Sequence, residues 1–126
     1  MKISREAPDA QALAAIGCVA ARLLCEEDFH ALGVHWGYAI ALGRDPAVAI
    51  AEDLAACLRE RGALRLDIAS MPPPSVRYFD ANDAGLFALV EQCIGTDGSG
   101  PVLLELIVSD DGTDRHVMIE QVSASG

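Results

Sequence analysis

Three histidines, four cysteines and nineteen carboxylates are the side chains with chemistry to offer in this 126-residue chain, and their spacing limits what they can do. His30 follows Glu26 by four residues and Cys25 by five, so a Cys/His/Glu grouping for nucleophilic or general-base work can be drawn on paper. The grouping straddles a break between two predicted helices, and His35 falls off the face that carries His30. A general base must first lie within hydrogen-bond reach of the proton it takes. No catalytic residue is assigned on these spacings, and the chain reads as a non-enzyme.

The metal readings are no stronger. Cys18, Cys25, Cys57 and Cys93 contain no CxxC pair. Cys18 and Cys25 would share a helix face, so a four-cysteine site is conceivable, but such cysteines in an aliphatic chain are more often small buried hydrophobes. Asp110, Asp111 and Asp114 could offer oxygen to a hard cation, yet the segment is too short for a twelve-residue calcium loop and lacks its closing glutamate. A solvated turn is the expectation, with no metal and no cofactor. Gly95, Gly98 and Gly100 have no following helix or lysine to hold a phosphate. With no basic patch, zinc finger or stacking motif, nucleic acid is the least expected partner.

Collective charge carries the most information. Residues 1–66 hold nine acidic against seven basic side chains and residues 67–126 hold ten against two, so the halves carry formal charges of 2 and 8 negative within a total of 10 negative. A one-signed surface attracts opposite charge and repels nucleic acid.

The elements that must position this charge follow from periodicity. A first helix is expected from about Pro8 to Glu26, with Leu13, Ile16, Ala20, Leu23 and Leu24 on one face and Asp9 near its start. A second is expected from Asp28 to Leu42, stopped by Gly43, with Gly33 and Gly37 four apart and letting another backbone come close. The third has Asp45 as cap, Pro46 at its first position, Ile50, Leu54 and Leu58 at i+4 spacing, and Gly62 at its end.

After Gly62 the period changes to two. Leu64, Leu66 and Ile68 alternate with Arg65, Asp67 and Ala69 as a half-buried strand, and Met71-Pro72-Pro73-Pro74-Ser75 is a stiff connector. Val76–Phe79 is a short edge strand and Leu86–Ile94, which also fits a helix, is read as strand. Val102–Ser109 and His116–Ser123 form a hairpin about the turn at 110–114. The expected fold is a single α+β domain over 1–126: three N-terminal helices, about 8–62, packed on a mainly antiparallel sheet of about four strands, about 63–123. On alternation Glu91, Glu105 and Glu120 face solvent, joined by Asp80, Asp83, Asp97, Asp110, Asp111 and Asp114 in turns.

The apolar run Ala12–Leu24 could pass for a signal-peptide core, but Glu6 and Asp9 spoil a basic leader and Arg22 interrupts its end. No run approaches the roughly 20 apolar residues of a membrane span, so the expectation is a cytoplasmic protein without a membrane partner.

Three helices followed by a curved antiparallel sheet, with a helix opening Asp28-Phe29-His30-Ala31-Leu32, resembles the cystatin-like or nuclear-transport-factor-like α+β cone. A small, acidic chain of this kind also resembles the bacterial immunity proteins of contact-dependent inhibition and polymorphic toxin systems. That second resemblance implies an inhibitor that covers the active site of a basic toxin such as a nuclease. Three functions stand on the sequence. The leading one is an acidic binding protein using Asp80, Asp83, Glu91, Asp97, Glu105, Asp110, Asp111, Asp114 and Glu120 against a basic partner. The others are a small-ligand protein or enzyme with a pocket near His35, Trp36 and Tyr38, and a structural domain that forms homo-oligomers.

Overall fold

A computed structural model of the chain describes residues 1–3 and 9–124. Its order is β1 (Lys2–Ile3), α1 (Ala10–Cys25), α2 (Phe29–Trp36), α3 (Pro46–Glu60), β2 (Leu66–Asp67), a 3-10 turn (Ile68–Ser70), β3 (Ser75–Tyr78), β4 (Leu86–Thr96), β5 (Val102–Asp110) and β6 (Arg115–Ser123). The α+β class and the three helices follow the expectation. Among the described residues the sheet has six strands rather than about four.

Each helix begins where a carboxylate can accept an otherwise unpaired first-turn amide. Asp9 accepts from Ala12 N, Asp28 from Ala31 N and Asp45 from Val48 N, at 2.8, 3.3 and 3.2 Å. The expected start of the first helix at Pro8 lies outside the described residues. α2 ends at Trp36, six residues before the expected end at Leu42. Gly37 has φ +67 and ψ −172, which is glycine territory and cannot continue a helix, and its amide caps Gly33 O. Gly33 keeps the close-packing role expected of it, since a Cβ there would sit 3.1 Å from Ala47 N.

Beyond Gly37 the chain turns onto the sheet. Tyr38 bridges in parallel to Ile119, and Ala39 N donates to Ile119 O at 2.8 Å.

The sheet is antiparallel in the order β1-β6-β5-β4-β2, with β3 also on β4. β2 and β3 share one edge of β4: Leu66 and Asp67 pair with Thr96 and Gly95, and Ser75–Tyr78 pair with Glu91–Ala88. Between them the chain bulges away at the three prolines, which have no amide to donate. Pro72 O instead accepts from Gln92 Nε2 at 2.7 Å. The expected strand over 64–69 therefore shrinks to two residues. Leu64 is 89% exposed and Ile68 enters the 3-10 turn, so the alternation there did not correspond to a long ladder. β1, absent from the sequence reading, pairs Lys2 with His116 and Ile3 with Arg115.

One sheet face takes Val90, Ile94, Val102, Leu104, Leu106, Val108, Val117, Ile119 and Val122 into a core with Leu13, Leu24, Leu32, Ile50 and Leu54 from the helices. The helical layer covers that face alone. Among the described residues no helix lies on the opposite face of β4, β5 and β6. Leu89 shows the division: it is 8% exposed, yet stands outside the core cluster on the far side of the sheet. No helix among the described residues is long and apolar enough to cross a membrane.

Candidate functional site

The uncovered face is built in rows that cross the strands. Register places Leu89, Ile107 and Met118 in one row, Glu91, Glu105 and Gln121 in the next, and Cys93, Leu103 and Ser123 in a third. Opposed side chains in such rows have Cβ atoms roughly 4.5–5.5 Å apart.

An irregularity in the β5–β6 ladder adds to the middle row. Glu105 faces Gln121 while Leu106 faces Ile119, so Glu120 is an extra residue, a β-bulge. The bulge keeps both Ile119 and Val122 in the core despite their odd spacing and leaves Glu120 beside Glu105. A parity change of this kind is the sequence signal that could have found it.

Glu91, Glu105 and Glu120 thus come together across three strands, as alternation predicted for their side of the sheet. Among the described residues none of the three forms an ion pair. The central carboxyl of Glu105 is pushed above its ordinary value by burial first, then by the charges of Glu91 and Glu120, with Arg77 on β3 pulling the other way. Leu89, Ile107 and Met118 flank this charge on one side and Cys93 and Leu103 on the other, and Met118 is 43% exposed.

The remaining predicted acidic residues have different surroundings. Asp80 and Asp83 are exposed in the β3–β4 loop, which Asn82 ties by accepting from Leu86 N at 3.1 Å. That loop joins the β5–β6 turn at one end of the sheet, where Asp110 N donates to Gly85 O at 2.7 Å. In the turn itself Asp110 pairs with Arg115 at 3.1 Å and Asp114 with Lys2 at 3.3 Å. Asp111 accepts from the amides of Asp114 and Thr113 at 2.7 and 2.9 Å and meets His116 at 3.1 Å, which together hold its carboxyl down to about 2. Asp97, beyond the other end of β4, accepts from Leu64 N and Arg65 N at 2.8 and 3.2 Å, and these bonds lower its pKa. Four of the nine predicted residues thus stabilise turns and loops, a role set by folded geometry that the sequence does not display.

The aromatic group is divided between core and surface. Trp36 and Tyr38 are 5% and 6% exposed within the core, while His35 is exposed with its ring edge-on to Trp36. The Tyr38 hydroxyl donates to Asp53 Oδ2 at 2.6 Å and accepts from Val122 N at 3.3 Å; Arg44 holds the other carboxylate oxygen at 3.2 Å. Burial, and then that bond to Asp53, push the phenol well above its usual range. The arrangement ties the segment after α2 to α3 and β6.

Cys25, near His30 in sequence, ends α1 half-buried, and burial followed by the charges of Asp67 and Glu26 raises its pKa. A nucleophilic thiol requires the reverse shift. Cys93 lies on the open sheet face and Cys57 is on the buried face of α3. Among the described residues no three His, Cys, Asp or Glu side chains are placed to hold a metal ion. Compared with known proteins, the chain matches no family model, no curated protein and no solved structure.

Proposed function

We propose that this protein is a non-enzymatic acidic binding protein whose uncovered sheet face docks a basic protein, most concretely as an immunity protein that neutralises a cognate basic toxin. The observation that carries the reading is the row of Glu91, Glu105 and Glu120, which forms no ion pair among the described residues, feels only the more distant charge of Arg77, and is flanked by Leu89, Ile107 and Met118 on one side and by Cys93 and Leu103 on the other. Like charges set opposite one another destabilise a sheet. Their cost is offset when lysine or arginine side chains arrive from outside, while Leu103, Ile107 and Met118 supply apolar area around them.

Two further features favour a basic protein over a second copy of the chain. A net charge of 10 negative repels another copy and steers a basic partner towards the face. A symmetric stack of two such faces would also bring a second set of carboxylates into the same interface.

The test is titration of the product of the adjacent gene at low and high salt. Tight binding that weakens with salt supports the proposal, and salt-independent binding or none counts against it.

A further inference from the structure

Between the helices and β2 lies a trough that no residue of the acidic row lines. Its larger chamber, about 490 Å³, is lined by Glu27, Phe29, Leu54, Leu58, Arg59 and Leu64 among others. A smaller one of about 120 Å³ adds Leu24, Cys25, Arg65 and Leu66 and shares Glu27, Leu54 and Leu58 with the first. The larger volume falls in the range of small-molecule sites, roughly 300–1,000 Å³.

Two observations bear on what it would hold. The floor is aliphatic, and a leucine 89% exposed, Leu64, stands at the wall, its amide fixed by Asp97 at 2.8 Å. The lining also reverses the charge of the chain: it has two arginines to one carboxylate, where the whole sequence has nine basic to nineteen acidic residues. Among the described residues neither Arg59 nor Arg65 makes an ion pair. Of the carboxylates nearby, Glu27 lines both chambers, on a residue held at φ +58, a conformation that costs a non-glycine residue free energy. Asp97 at the amides of Leu64 and Arg65, and Asp67 and Glu26 beside Cys25, stand around the smaller chamber and oppose an anionic head.

We propose that this trough binds an amphipathic carboxylate, with its alkyl chain along Leu54, Leu58 and Phe29 and its anionic head between Arg59 and Arg65. The inference is independent of the docking reading, since no residue of the acidic row takes part.

Dodecanoate and dodecyltrimethylammonium carry the same tail with opposite heads, and both can be titrated below micelle-forming concentrations while backbone amide NMR shifts are followed. Long-range attraction to a protein 10 negative favours the cation, so a preference for dodecanoate must arise locally. The expected result is saturable dodecanoate binding with shifts concentrated in residues 24–29 and 51–66. Combined Arg59→Gln and Arg65→Gln substitution weakens it about three- to tenfold, the effect of two partly exposed ion pairs. Glu27→Gln strengthens it, and Ala55→Phe, at an exposed wall position, blocks it with the fold intact by circular dichroism. Equal or tighter binding of the cation in the trough, shifts located elsewhere, or arginine variants that bind dodecanoate unchanged would overturn the proposal. None of these outcomes alters the salt-dependent protein titration that tests the docking face.

Discussion

Replacing Glu105 by Gln should make the protein more stable. Glu105 faces Glu91 directly across β4 and β5 and has Glu120 on its other side, so at neutral pH three carboxylates share one stretch of sheet. A like-charge pair in direct opposition costs about 0.2–1 kcal/mol, and the partial exposure of the row holds the combined gain from the substitution to about 0.5–1 kcal/mol. For a chain of this length that corresponds to roughly 2–4 °C in Tm.

The pH dependence fixes the cause. The folded pKa of Glu105 is raised above 4.5, so the folded state holds its proton more tightly than the unfolded chain does. Its penalty is absent below the unfolded value, grows as pH rises through the window between the two values, and is complete above the folded one. Urea unfolding of both proteins across that window, with and without high salt, measures the effect. The stabilisation of Glu105→Gln should appear at neutral pH, vanish near pH 4 and shrink in salt. A variant of equal or lower stability at neutral pH, or a gain that persists in acid, would refute the reasoning.

Other substitutions probe the framework around the face. Tyr38→Phe removes the hydroxyl that links Asp53 to Val122 N and leaves a buried amide without that acceptor, so the urea midpoint should drop by the equivalent of about 2 kcal/mol. Gly98→Ala should destabilise the β4–β5 loop, because a Cβ there collides with Arg61 O, and thermal unfolding will show a lowered Tm. Asp111 has its pKa lowered to about 2, so its stabilisation is present above the ordinary value of 3.8 and is lost as pH falls towards 2. In acid titration followed by circular dichroism, Asp111→Asn should therefore show a shallower loss of stability through that window than the parent protein.

The sequence was most informative where local chemistry and periodicity agreed. Asp45, Pro46 and Gly62 mark α3 closely because a cap, a first-position proline and a left-handed stop each act within a few residues. Glu91 and Glu105 were legible as outward residues because a half-buried strand alternates strictly. The limits of α2 were less legible: Ala39 and Ile40 extend its apolar stripe on paper, but the backbone at Gly37 and the pairing of Tyr38 with β6 end the helix. The two-residue β1 and β2 exist through pairing with partners more than twenty residues away, which no local pattern encodes. For the acidic surface, composition located the charge but could not separate carboxylates that accept turn amides, such as Asp97 and Asp111, from those left open on the sheet.

The most direct test compares the parent protein with a variant carrying Glu91→Gln, Glu105→Gln and Glu120→Gln by calorimetric titration against the product of the adjacent gene, at low and high salt. The account predicts that the variant folds at least as stably, binds about tenfold or more weakly, and loses most of the salt dependence of the parent. Binding by the variant with undiminished affinity and the same salt dependence would contradict it.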